Sequence, residues 1–192
     1  MWLLYAVGAS FTAGITAILV KIGANSTNSY LLTALRTIVV TMFSWIMVFI
    51  VGSQNTIGEV STRTLIFLCA SGITTGISWI CYFQALQIGN VNVVVPIDKS
   101  SVVLTIFLGV VFLHESMNLV KFISVVLIAV GTFMMIDKKE VSSGETAKKS
   151  KSSIFYAFMS AVFASLTALL SKIGIVGVES NLGTAIRTVE VL

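Results

Sequence analysis

Hydrophobic residues in this chain fall into long, nearly unbroken runs separated by short polar breaks. Five such runs, Trp2–Gly23, Tyr30–Gly52, Thr64–Ile88, Asn92–Leu113 and Leu119–Ile136, precede Asp137. A helix needs about 20 mainly apolar residues to cross a bilayer, because each residue rises about 1.5 Å through a core of about 30 Å. The pattern therefore predicts five transmembrane helices. The breaks between them, ANSTNSY, SQNTIGEVSTR, GNV and HESMN, are short enough to make successive helices antiparallel neighbours. A polar stretch, DKKEVSSGETAKKSKSS, occupies 137–153 and is read as a linker. A sixth apolar helix is expected over Ile154–Val176. A seventh begins near Ser180, and its 13 residues to Leu192 reach only about 20 Å, too little to cross.

Composition supports lipid as the solvent. Apolar residues make up 56% of the chain and charged residues 10%, with a single proline. So few charges cannot cover the surface of a soluble domain. The net charge of +4 does not point to nucleic acid, because the lysines crowd into the linker. Cys69 and Cys81 share one apolar run and are too far apart along a helix to bond to each other; they are expected to be buried thiols. The first run lacks a basic leader and a small-residue cleavage site, so it is expected to be retained as a helix.

The most informative feature is an internal repeat. A shift of 151 positions aligns Trp2–Thr41 with Ser153–Leu192 without a gap, with about 16 of 40 positions identical. Lys21 falls on Lys172, Gly23 on Gly174, Arg36 on Arg187 and Thr37 on Thr188. Shared hydrophobicity alone would not align the charged residues. Because five helices precede the second copy, it must enter the membrane from the opposite side. The chain is thus predicted to be an all-α integral membrane protein with an inverted-topology repeat, the ground plan of many secondary transporters. Its divisions are a five-helix repeat over 1–136, the charged linker over 137–153, and the opening of a second repeat over 154–192.

The stretch from Gly76 to Ile136 resembles the closing half of an EamA domain, the repeat of the drug/metabolite transporter superfamily. The resemblance rests on Tyr82, Ala85 and Leu86 in a Y-x-x-A-L turn, on Pro96 in the fourth helix, and on Phe112, Leu113 and Glu115 in F-L-x-E. It extends over Met1–Ile136 as one full repeat, and the segment after Ser153 looks like the start of another. His114 departs from the pattern by standing where a glycine is common. The resemblance implies ten helices in two inverted halves, carrying small metabolites or drugs through a central cavity. The second half is incomplete here, so this chain alone is not expected to build the whole ten-helix bundle.

Ionisable groups inside membrane helices cost at least about 2.5 kcal/mol each on insertion scales and mark function by default. Lys21, Arg36, Asp98 and Lys99 lie near helix ends on one side of the membrane, Arg36 and Asp98 about 9 Å inside the boundary. Tyr82 and Gln84 approach the same level from the third helix. This cluster has an excess of positive charge suited to an anionic or zwitterionic solute. The competing reading is a structural Arg36–Asp98 pair, with Lys21 and Lys99 reaching out to headgroups. Ser71, Thr75, Ser78 and Tyr82 form a polar stripe beside Trp79, and Gly72 and Gly76 make a G-x-x-x-G. The stripe fits either close helix packing or a cavity wall. Ser101 and Thr105 continue the Asp98 face. Pro96 removes one helical hydrogen bond, which fits either a packed kink or a carbonyl freed for a ligand. The expected substrate-contacting set is Arg36, Asp98, Lys99, Lys21, Ser78, Trp79, Tyr82, Gln84, Ser101 and Thr105.

Enzyme signatures are not found. HESMN begins like H-E-x-x-H but ends on Asn118, and the chain has no P-loop and no G-x-S-x-G. No cofactor and no metal are expected. The function expected is secondary transport of a small metabolite or drug-like solute by alternating access, in the cell membrane. The alternative is a non-transporting fragment or membrane assembly subunit. The expected partners are the solute, membrane lipid and an inverted second copy, with no nucleic acid. The linker lysines favour the cytoplasm, which would place Met1 outside; the resemblance implies the reverse.

Overall fold

A computed structural model describes residues 2–24, 28–135, 144–175 and 178–191. Its helices are α1 (Trp2–Ala24), α2 (Ser29–Val51), α3 (Thr62–Ile88), α4 (Val91–Lys99), α5 (Ser101–Leu113), α6 (Leu119–Met135), α7 (Gly144–Gly174) and α8 (Ser180–Val189). A short 3-10 segment, Ser53–Glu59, follows α2. The described residues contain no strand. Among the described residues five spans are long and apolar enough to cross a membrane: Leu3–Gly23, Ser29–Val51, Thr62–Ile88, Val91–Leu113 and Lys151–Gly174.

Two boundaries differ from expectation. The fourth apolar run is interrupted at Ser100, whose N–H turns back to Pro96 O at 3.0 Å and Ile97 O at 3.2 Å. Pro96 is fully buried there, as a packed kink requires. The stretch read as a linker is helical from Gly144 onward, where it continues α7 back from the apolar run and its three lysines are good helix formers. Residues 137–143, the rest of that stretch, lie outside the described residues. The fifth run forms α6 with 17 residues, about 25 Å long, slightly short of a full crossing.

Local chemistry sets the helix ends. Asn28, Ser61, Asn90 and Glu179 cap α2, α3, α4 and α8 by accepting from backbone N–H groups in the first turn. Helix α5 ends at His114, with φ of 50°, in the left-handed region that glycine fills without steric cost. This is why a glycine suits that position and why histidine is the departure.

Helix α7 lies antiparallel along α3. The Ser153 hydroxyl donates to Ala85 O at 3.1 Å at one end, and Gly174 abuts Phe67 at the other. Between them Ser78 donates to Ser160 O at 3.0 Å, and the Ser71 and Ser171 hydroxyls meet at 2.6 Å. Hydroxyls of this kind join helices where no water is present to compete. Helix α8 runs antiparallel to α2, from Ser53–Glu179 at one end to Thr41–Thr188 further along. It crosses α3 at Gly72, where an added Cβ would lie 2.6 Å from the Glu190 Cβ and 2.8 Å from Arg187 O. The G-x-x-x-G thus serves close packing, and α8 occupies it. Tyr82, Phe83, Leu86, Val94 and Ala157 form the main core, with Val48, Leu182 and Ala185 forming a second. Helix α1 stands apart: its side chains from Leu3 to Thr16 are exposed.

Candidate functional site

Three helices bring charge to the centre of the bundle at matched depth. Arg36, Asp98 and Arg187 are each the eighth residue of α2, α4 and α8, about 10 Å along the axis from the helix start. Helices α2 and α4 start at the C-terminal end of α3, where Ser29 donates to Gln84 at 2.9 Å and to Gln87 at 2.8 Å. Helix α8 starts at the opposite end, beyond the Gly174–Phe67 contact. Asp98 and Arg187 therefore approach one central level from opposite faces.

A cavity of about 230 Å³ lies at that level. Thr75, Ser78, Trp79 and Tyr82 of α3 form one wall. Asp98 and Lys99 of α4 and Ser101 of α5 form another. Ser160, Ala164 and Thr167 of α7 with Arg187 of α8 complete it. The Asp98 carboxylate accepts a 2.6 Å hydrogen bond from the Ser160 hydroxyl and faces Lys99 Nζ at 3.5 Å. Arg187 Nη1 donates to the Ser171 hydroxyl at 2.8 Å, while its buried Nε has no hydrogen-bond partner. Trp79 meets Tyr82 edge-on, with ring centroids 5.5 Å apart.

Six of the ten residues expected from sequence line this cavity: Ser78, Trp79, Tyr82, Asp98, Lys99 and Ser101. Arg36 sits behind its wall, with the guanidinium carbon 3.3 Å from the centroid of a Trp79 ring. The Arg36–Asp98 pair does not form: Asp98 pairs with Lys99, and Arg36 finds its electrostatic partner in the aromatic face. Lys21 donates to Leu86 O at 2.6 Å and Gly89 O at 2.8 Å, capping carbonyls that the end of α3 leaves open. Gln84 is taken up by Ser29, and Thr105 bonds back to Ser101 O at 2.8 Å. Those three residues lie away from the cavity lining.

Thr75, Ser160, Ala164, Thr167 and Arg187 also line the cavity and lie outside the expected set, four of them in the segment that follows the five-helix stretch. The signal for Arg187 was present: the 151-residue shift places it on Arg36. At the α5 end, Glu115 of F-L-x-E pairs with Lys121 at 3.2 Å and also with Lys172, the repeat equivalent of Lys21.

A match to the EamA-like transporter family covers residues 1–137. An uncharacterized transporter in the cobO 3' region of a Sinorhizobium species is 36% identical over 134 residues, 70% of this chain and 95% of that protein. An uncharacterized protein of Methanocaldococcus jannaschii is 27% identical over 103 residues, 49% of this chain and 75% of that protein. No solved structure matches the chain.

Proposed function

The chain belongs to the EamA-like transporter family, and from that premise we propose that it is a secondary transporter moving a small metabolite or drug-like solute by alternating access in the cell membrane. The observation that carries this reading is the central cavity, which gathers Asp98, Lys99 and Arg187 with a set of hydroxyls between helices entering from opposite faces. Charges at this depth are costly, and a polar solute that exchanges its hydration for them offsets the cost. Transport here is driven by an existing gradient or is plain exchange.

An inverted second copy completes the bundle in this proposal. Support comes from the long uncovered face of α1 and from the Sinorhizobium relative, for which 134 residues are already 95% of the chain, so it is scarcely longer than one repeat. The α3 glycines are taken by α8, so the second copy meets α1 or the α4–α5 face.

The test is reconstitution of the purified chain into vesicles loaded with a panel of small polar metabolites, with efflux followed by mass spectrometry. Efflux of at least one solute that Asp98→Ala abolishes is expected. Permeability equal to empty vesicles across the panel would favour the non-transporting assembly subunit. Cross-linking from a cysteine on α1 reports the second copy, and a strictly monomeric protein that still moves solute would remove it from the proposal.

A further inference from the structure

Among the described residues Arg187 is a cation with no ion-pair partner. Among the described ion pairs Asp98 belongs to Lys99, and Glu115 to Lys121 and Lys172; none involves Arg187. One edge of its guanidinium is fixed, since Nη1 donates to Ser171, which in turn meets Ser71. The Nε N–H on the other side is buried without a partner. An arginine held in this way, lining this cavity, is prepared for two-point binding of an oxyanion through the Nε side of its fork.

Charge decides which oxyanion fits. The cavity lining itself carries Arg187 and Lys99 as cations and Asp98 as the single anion, a net of one positive charge on the lining, with Arg36 held outside it against Trp79. A monoanion balances it, whereas a dianion such as a phosphate monoester would leave an unpaired negative charge at low dielectric. We infer that Arg187 is the anion-anchoring residue of the central cavity and that the solute it receives carries one carboxylate. The aromatic ring of Trp79 and the hydroxyls of Ser78 and Thr167 bound the space for the rest of the solute. This inference rests on the cavity being the solute site of the proposed transporter.

The experiment reads binding, not flux. The full chain in nanodiscs, with Trp2→Phe and Trp45→Phe leaving Trp79 as the single tryptophan, is titrated with pyruvate, with its neutral amide pyruvamide, and with inorganic phosphate. Pyruvate is expected to change Trp79 emission saturably, and pyruvamide and phosphate are not. Arg187→Gln should weaken pyruvate binding at least about tenfold, with Arg187→Lys intermediate because an ammonium cannot form the two-point contact. Arg63→Gln, an equal charge change outside the cavity, should leave the affinity unaltered. No saturable signal with pyruvate, an equal response to the amide, tighter binding of phosphate, or undiminished affinity in Arg187→Gln would each overturn the assignment. Should Arg187→Gln fail to fold, phenylglyoxal labelling of the unsubstituted protein decides the matter. Pyruvate must then protect Arg187, mapped by peptide mass, and labelling unaffected by pyruvate would reject the inference. Intact binding beside vesicles that pass no solute would count against the transporter reading alone.

Discussion

The Ser160 hydroxyl donates a 2.6 Å hydrogen bond to the Asp98 carboxylate, joining α7 to α4. Asp98 is buried, and Ser160 is fully so. Ser160→Ala should therefore leave a carboxylate oxygen short of one donor and cost about 1–3 kcal/mol. Thermal unfolding in nanodiscs measures this, and Ser160→Thr should recover most of the loss. An unchanged midpoint in the alanine variant would mean that the bond contributes nothing.

Arg36 and Asp98 should behave as independent residues, because each has a different partner. In a double-mutant cycle, Arg36→Gln and Asp98→Asn are expected to add to within about 0.5 kcal/mol. Trp79→Ala, by contrast, should couple to Arg36→Gln by about 0.5–2 kcal/mol, the range for a desolvated cation on an aromatic face. Mutual rescue between Arg36→Gln and Asp98→Asn would restore the direct pair.

His114→Gly should stabilise the protein. The residue sits at φ of 50°, and an L side chain in that region costs about 1–2 kcal/mol that glycine avoids. Part of this gain is offset by the greater freedom of glycine in the unfolded chain. A raised unfolding midpoint is expected; a lowered one would show that the imidazole makes a compensating contact.

Glu179 caps α8 and ties it to the loop after α2. Its carboxyl is held below its ordinary value of 4.5, first by the Ser53 hydroxyl, against which burial pushes it up, and then by the N–H groups of Asn181 and Leu182. For a carboxyl lowered in the folded state, the stabilisation is complete above the ordinary value and disappears as pH falls through the folded one. Docking of α8 should thus be constant near neutrality and loosen only below pH 4.5. Ser53→Ala should bring the loosening to higher pH, and Glu179→Gln should abolish the dependence. Reactivity of a cysteine placed at Thr184, normalised at each pH to that of a free thiol, reports the change.

Orientation follows from the lysines of residues 138–151 if charge dominates insertion. In a variant with Cys69 and Cys81 replaced by serine, a cysteine at Ser142 should resist an impermeant maleimide in intact cells and react after permeabilisation. Rapid labelling of intact cells would place that segment outside.

The helix ends at Gly23, Ile88 and Leu113 were legible because apolar runs stop sharply at polar breaks, and lipid tolerates no other boundary. Arg36 and Asp98 were legible as well, since a charge inside such a run stands out against its background. The Arg36–Asp98 pairing was not. Helical spacing assigns a residue to a depth, but two residues at one depth on different helices face each other only if the bundle rotates them inward. Here α2 turns Arg36 onto Trp79, while α7 supplies Ser160 to Asp98.

By itself the sequence determined the solvent, the all-helical class, the places of the apolar runs and the family resemblance, because these depend on local composition and on matching along one chain. Only the tertiary structure decided which polar groups meet. Packing α7 against α3 and crossing α8 over Gly72 placed Arg187, Ser160 and Thr167 on one cavity with Asp98, and left Lys21 to cap α3. The reason is geometric: whether a polar side chain lines a cavity or closes a helix end depends on the rotation and crossing of neighbouring helices, which contacts between segments far apart in the chain set.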